Sequence, residues 1–194
     1  MGRTKTYDRN EVIERAMHEF WAKGYSATSV RDLVAACEIV PSSLYLEFGD
    51  KVALFLTVLD RYIEQQEACY AEVLGAAPYG LDRIAAHFDR YSYGRSFRGC
   101  LLVNALGGGA QLPASAVDTI DAFFERIRAL FEAQLEPSVG GARAESLSRV
   151  LLTFDIGLAT TGKLPSQREH LRRALGSLLS TLARAPSASR ERRR

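Results

Sequence analysis

The sequence predicts an all-α protein, a helix-turn-helix head followed by a larger helical body, and three observations carry that reading. Apolar residues recur at threes and fours, as in Val12, Ile13, Ala16 and Phe20 or Phe55, Leu59, Tyr62 and Ile63, and no stretch reads convincingly as a strand. Stops and breakers divide the segments: Gly24, the run 75–80, and Gly107-Gly108-Gly109. A chain of 194 residues with 47% hydrophobic content is long enough to bury a real core. The expected divisions are a three-helix head over 1–50, a helical body over 51–185 and a disordered basic tail over 186–194. No internal repeat at solenoid spacing is present.

The polar arm 1–7 carries Arg3 and Lys5, which suit the minor groove of a duplex. A first helix is expected from Asp8 or Asn10 to Lys23, its apolar face formed by Val12, Ile13, Ala16, Phe20 and Trp21, with Gly24 as its stop. Thr28 can cap a short second helix carrying Val30, Leu33 and Val34, and Pro41 stands where a third would take its first residue. Two short helices joined by a tight turn are the geometry that lays the second, 41–48, in a DNA major groove. Leu44 and Phe48 would pack that helix onto Leu33 and Phe20. Ser42, Ser43 and the Tyr45 hydroxyl are short or rigid donors suited to phosphate oxygens, Leu46 is placed to read sequence, and Lys51 opens the next helix where a phosphate is also favoured.

Gly24-Tyr25, Thr28-Ser29-Val30, Ser42-Ser43-Leu44-Tyr45, Phe48, Lys51 and Ala53-Leu54-Phe55, at this spacing, resemble the TetR-like (tetracycline-repressor-like) transcriptional regulators. The resemblance covers about the first third of the chain in detail. It implies a homodimeric DNA-binding regulator whose long fourth helix turns a change in the body into rotation of the heads. The DNA-contacting set it implies is Arg3, Lys5, Thr28, Ser29, Arg31, Pro41, Ser42, Ser43, Tyr45, Leu46 and Lys51. Two departures stand out. Family members usually carry Gly in the turn and Ser or Thr before the recognition helix, where this chain has Glu38 and Val40; Glu38 in a left-handed conformation would be strained, and Val40 has no capping side chain. Residues 1–51 also hold seven basic side chains against eight acidic ones, so DNA binding must rest on the placement of a few cations rather than on a broad field.

The next helix is expected over about 50–74 and joins head to body. Further helices are expected over about 81–93, 100–106, 115–135, 142–163 and 167–183. The last two carry apolar residues on more than one side. They are read as half of a two-fold four-helix interface through Leu151, Leu158, Leu171, Leu175, Leu178 and Leu182, an arrangement the resemblance also implies. A dimer would set two recognition helices about one DNA turn or a multiple apart, so the double-stranded operator should be near-palindromic. A small-molecule inducer site is expected among Tyr62, Gln66, Phe88, Tyr91, Leu102, Asn104, Phe124, Ile127 and Phe154, an apolar set with few polar groups.

Arg98-Gly99-Cys100-Leu101 resembles a Gly-Cys-Leu motif found in one branch of the family, some of whose members respond to electrophiles or oxidants through that cysteine. A cysteine in the first turn of a helix beside an arginine has its thiolate favoured. Cys100 is therefore a second candidate trigger, and the alternative is a small hydrophobe that lets helices approach. A helical thiol enzyme using Cys100 with His87 as base is a third reading, but it leaves the match over 28–51 unexplained, so no enzyme is expected.

The net charge of +2 belongs to the tail, since 184–194 holds five arginines and one glutamate and leaves the rest at −2. Three widely spaced cysteines, Cys37, Cys69 and Cys100, argue against a disulfide framework and for a reducing cytoplasm. The start lacks an apolar leader, and no run approaches the roughly 18 apolar residues of a membrane span, so no membrane partner is expected. His18, His87 and His170 show no metal spacing, and Gly107-Gly108-Gly109 lacks a phosphate-loop lysine. No metal or cofactor is expected.

Overall fold

The computed structural model describes residues 7–90, 97–108 and 112–183, and every regular element among them is helical. In chain order these are α1 (Arg9–Lys23), α2 (Val30–Cys37), α3 (Pro41–Phe48), α4 (Lys51–Leu74), α5 (Leu81–Asp89), α6 (Leu101–Leu106), α7 (Ala114–Val139), α8 (Gly141–Thr161) and α9 (Arg168–Ala183), with a 3-10 turn at Pro165–Gln167. The chain is all-α. Arg3, Lys5, Tyr91, Gly109 and the tail 186–194, all part of the sequence-based expectations, lie outside the described residues.

Local chemistry explains most boundaries. The Asp8 carboxylate accepts from the Asn10 amide at 2.8 Å and opens α1; Gly24, at φ +80, closes it by donating to the Phe20 carbonyl at 2.8 Å. The cap of α2 is Ser29 and not Thr28, which corrects the expectation by one residue. Ser29 Oγ accepts from the Asp32 amide at 3.1 Å, and the Asp32 carboxylate accepts from the Ser29 amide at 2.8 Å, a reciprocal capping box that Thr28 has no matching acid to form. Pro41 stands in the first turn of α3, and Val40 before it supplies no side-chain cap. Asp50 Oδ1 takes the Ala53 amide at 2.8 Å at the start of α4. α7 outruns its expected end at 135 and passes through Pro137, which stands in its last turn and forfeits only its own amide bond there.

The described residues form two compact units, one comprising the chain up to Gln65 with Leu101–Asp121, the other Gln66–Cys100 with the chain from Ala122 onward. α4 and α7 each contribute to both. In the first unit Phe20 and Phe55 meet edge to face at 4.9 Å, Tyr25 lies 4.7 Å from Phe55, and Leu33, Leu44 and Leu54 are fully buried around them. In the second, Phe88 stacks on Phe131 at 5.9 Å, and Phe123, Ile127, Leu135, Leu151 and Leu158 complete a buried apolar set. Among the described residues no helix is long and apolar enough to cross a membrane.

Candidate nucleic-acid interface

α3 owes its presentation to its two inward residues. Leu44 is fully buried and Phe48 nearly so, which turns the rest of the helix outward: Leu46 is 88% exposed, Tyr45 50% and the preceding Val40 52%. A leucine left that bare on an eight-residue helix has no packing role within the head. Pro41 and Ser42 are exposed and Ser43 half-buried on the same element. On α2, Arg31 is exposed.

Three expected contacts have roles inside the head. Thr28 has no exposed surface and donates its hydroxyl to the Gly24 carbonyl at 2.7 Å, so it braces the turn between α1 and α2 and does not face a phosphate. Ser29 is exposed but its hydroxyl serves the cap. Lys51 extends its ammonium over the Tyr25 ring at 4.3 Å, and burial pushes its pKa down from the usual lysine value. That stacking holds the side chain in one place at the start of α4.

The turn between α2 and α3 is built on the residue the sequence made conspicuous. Glu38 adopts φ 55, ψ 38, the left-handed region that glycine usually fills, and its carboxylate pairs with Arg15 Nη1 of α1 at 2.7 Å. Sequence reasoning missed a second carboxylate. Glu47 of α3 accepts from the Tyr7 hydroxyl at 3.2 Å and pairs with Arg9 Nε at 3.1 Å. No local spacing signals that contact, because the partners stand forty residues apart.

Residues 12–58, which span this head, match the family model described as "Bacterial regulatory proteins, tetR family". The chain is 36% identical over 108 residues to the HTH-type transcriptional repressor ComR of Escherichia coli (strain K12), covering 53% of this chain and 51% of ComR. It is 29% identical over 109 residues to the HTH-type transcriptional repressor BdcR of the same organism, covering 54% and 55%. It spans about half the length of these curated relatives. A solved cysteine mutant of the TetR family transcriptional regulator CifR, complexed with 26bp double-strand operator DNA, superposes with TM-score 0.81 at 29% identity, over 92% of this chain and 98% of that one. Residues 12–58 belong to the tetR family type, and the chain is similar to TetR-family regulators over the rest of its length.

In this TetR-like chain the residues expected to form the inducer site divide between the two units. In the first, Tyr62 is 3% exposed and its hydroxyl accepts from the Leu101 amide at 3.3 Å; Leu102 is fully buried and Asn104 half-buried. In the second, Phe88 and Ile127 are buried, and Gln66, Cys100, Phe124 and Phe154 are half-buried. The second unit also holds a groove of about 330 Å³ lined by Phe88, Leu158, Leu171, Leu175 and Leu179, with Asp89 and Arg172 as its charged members. Among the described members of the expected inducer set, only Phe88 lines it.

The expected dimer residues divide too. Leu151, Leu158 and Leu182 are buried within the single chain, so they have little surface left for a partner; Leu171, Leu175 and Leu178 remain half-buried. Exposed apolar surface remains at Val150 of α8, 46% exposed, and at Leu164, 54%.

The second unit holds a polar cluster that the sequence did not announce. Asp155, 4% exposed, faces His87 Nε2 at 3.1 Å through one oxygen and accepts from the Tyr70 hydroxyl through the other. The Tyr70 ring stacks on His87 at 4.7 Å, and Phe88 and Phe131 close around the imidazole. α4, α5 and α8 each supply one member.

Proposed function

We propose that this chain is a homodimeric, sequence-specific DNA-binding transcriptional regulator of the cytoplasm, a repressor that leaves a near-palindromic double-stranded operator when a small molecule occupies its body. The observation that carries the reading is α3, whose buried Leu44 and Phe48 leave Ser42, Tyr45 and Leu46 facing outward. ComR and BdcR, described as transcriptional repressors, and CifR, solved with operator DNA, support it. The half-buried leucines of α9, with exposed Val150 and Leu164, support a second copy as partner. A ligand acts by favouring the conformation in which the two heads no longer match the operator.

The experiment is a binding shift on the DNA beside the chain's own gene. A specific, saturable shift is expected. Tyr45→Phe and Ser42→Ala should weaken binding to all sequences, whereas Leu46→Ala should change sequence preference. An unchanged affinity in all three variants would remove α3 as the reading helix.

Modification of Cys100 is a second trigger with one observation in its favour. Gly99, at φ +77, lies so close to α8 and its end that a Cβ there would collide with the Ala159 carbonyl and the Lys163 side chain, whose Nζ is 3.3 Å from that point. The Lys163 side chain therefore lies close to the residue that precedes Cys100. A Cys100→Ser chain that keeps its full inducer response would eliminate this trigger.

A further inference from the structure

Glu47 is out of place by charge alone. It stands on the helix proposed to enter the major groove, where a carboxylate repels the phosphates on either side. Its side chain is nonetheless only 10% exposed, and both oxygens have partners from the start of the chain. Oε2 accepts from the Tyr7 hydroxyl at 3.2 Å, and Oε1 pairs with Arg9 Nε at 3.1 Å. The Arg9 guanidinium also lies over the Phe48 ring, 5.3 Å from its centroid, so the arginine contacts two successive residues of α3.

The geometry has a consequence for what precedes it. Tyr7 comes immediately before Asp8, the cap of α1. A planar carboxylate that engages donors two residues apart fixes both the position and the direction of the backbone entering α1 relative to α3. Lys5 and Arg3 stand two and four residues before Tyr7 in sequence, so at about 3.5 Å per residue chain length limits their Cα atoms to about 7 and 14 Å from that of the anchored tyrosine, with their side chains extending beyond. An anchored origin concentrates those two cations around one point beside the recognition helix; a free origin spreads them over a larger volume.

We propose that Glu47 is a positioning residue for DNA binding: through Tyr7 and Arg9 it sets where the basic N-terminal arm starts, and it raises operator affinity despite its negative charge. The inference rests on the DNA-binding reading above. It makes a prediction opposite in sign to simple electrostatics. Removing an acid from a DNA-facing helix, and freeing Arg9 as an extra cation, should strengthen binding and steepen its salt dependence. Loss of the anchor should weaken binding and flatten that dependence.

The test compares four full-length proteins on one operator over a range of salt: wild type, Glu47→Gln, Arg3→Ala/Lys5→Ala, and the triple combination. Glu47→Gln is expected to lose affinity about five- to tenfold, with the slope of log affinity against log salt falling by about one. The arm substitutions should cost a similar factor in the wild type and little in the Glu47→Gln background, because the anchor and the cations act as one unit. Tyr7→Phe removes a single hydroxyl from a half-buried ring and should reproduce a smaller loss with an unchanged thermal midpoint, which separates anchoring from misfolding. Tighter or equal binding by both Glu47→Gln and Tyr7→Phe, or an arm cost that is the same in both backgrounds, overturns the proposal while leaving the DNA-binding reading intact. A wild-type chain that binds no DNA specifically overturns both.

Discussion

The two units place their charged and polar side chains in opposite settings. In the first, the ion pairs Arg15–Glu38, Lys23–Asp32 and Lys23–Glu19 are formed by side chains that remain partly in water. In the second, Asp155, His87 and Gln134 are enclosed, and each is satisfied by partners from other helices. The difference is one of cost. A surface pair that breaks is replaced by water at little loss, whereas an enclosed carboxylate left without donors has no solvent to turn to. Those surface pairs of the first unit can therefore vary one at a time, whereas the enclosed cluster of the second must be kept together.

Asp155→Ala tests this contrast with the largest expected effect. It leaves the Tyr70 hydroxyl and the His87 ring nitrogen both facing the space the Asp155 carboxylate vacates, and a loss of about 3 kcal/mol is expected in denaturant unfolding. Asp155→Asn, which keeps an oxygen and the shape, should lose less. If Asp155→Ala unfolds at the wild-type denaturant concentration, the enclosed cluster is not what holds α4, α5 and α8 together.

Gln134→Ala comes next. Gln134 has no exposed surface, donates to the Leu74 carbonyl at 2.7 Å and accepts from the Gly80 amide at 2.8 Å, so one amide from α7 bridges the end of α4 and the start of α5. Its removal strands both backbone groups, for an expected loss of about 1 to 3 kcal/mol. Hydrogen exchange at the Gly80 amide is the sharper readout. Protection there unchanged by the substitution would mean that the bridge is replaceable by water and that the enclosed setting stops short of it.

How much of this was legible in the sequence follows the same division. The stop at Gly24, Pro41 in the first turn of α3, and the inward Leu44 and Phe48 are all written within a few neighbouring residues, and each appears in the structure where spacing and side-chain type put it; the left-handed position of Glu38 came only from the family's usual glycine there, against the preference of its own side chain. Ser29 was displaced by one residue because the acid that completes its capping box, Asp32, decides between two adjacent hydroxyls. Contacts across the fold carried no such signal. Tyr70 and Asp155 are 85 residues apart, His87 and Asp155 68, and Tyr7 and Glu47 40, and nothing in periodicity ties such residues to one another. The burial of Leu151, Leu158 and Leu182 within one chain was equally hidden, since an apolar helix face looks the same whether its cover comes from its own chain or from a partner.

Asp32→Asn probes the surface side of the comparison through pH. The ammonium of Lys23, then the Ser29 hydroxyl and amide, hold the Asp32 carboxyl well below the usual carboxylate range. A carboxyl depressed in the folded state contributes stability above its unfolded value, about 3.9, and loses that contribution as pH falls from there through the folded value. The wild-type thermal midpoint should therefore drop on acidification below about pH 4, and Asp32→Asn should flatten that limb while lowering the midpoint slightly at neutral pH. An acid limb of the same steepness in the variant would assign it to other carboxylates.

The smallest effect is expected at Glu38, and there the sign is reversed. A non-glycine residue in the left-handed region costs about 1 to 2 kcal/mol, and Glu38→Gly removes that cost. Against it stand the greater freedom of glycine in the unfolded chain, about 0.5 to 1 kcal/mol, and the loss of the solvent-screened pair with Arg15. Before the lost pair is subtracted, the balance is a rise of about 0 to 1.5 kcal/mol, read in a thermal scan at about 2 to 4 °C per kcal/mol. Arg15→Ala separates the two opposing contributions, because it deletes the pair and leaves the backbone conformation alone. If Arg15→Ala is nearly silent and Glu38→Gly stabilises, the exposed pair is weak and the turn is strained. If Arg15→Ala costs more than Glu38→Gly returns, the pair between α1 and the turn holds the recognition helix at its angle, and the surface contacts of the first unit are not as interchangeable as their exposure implies.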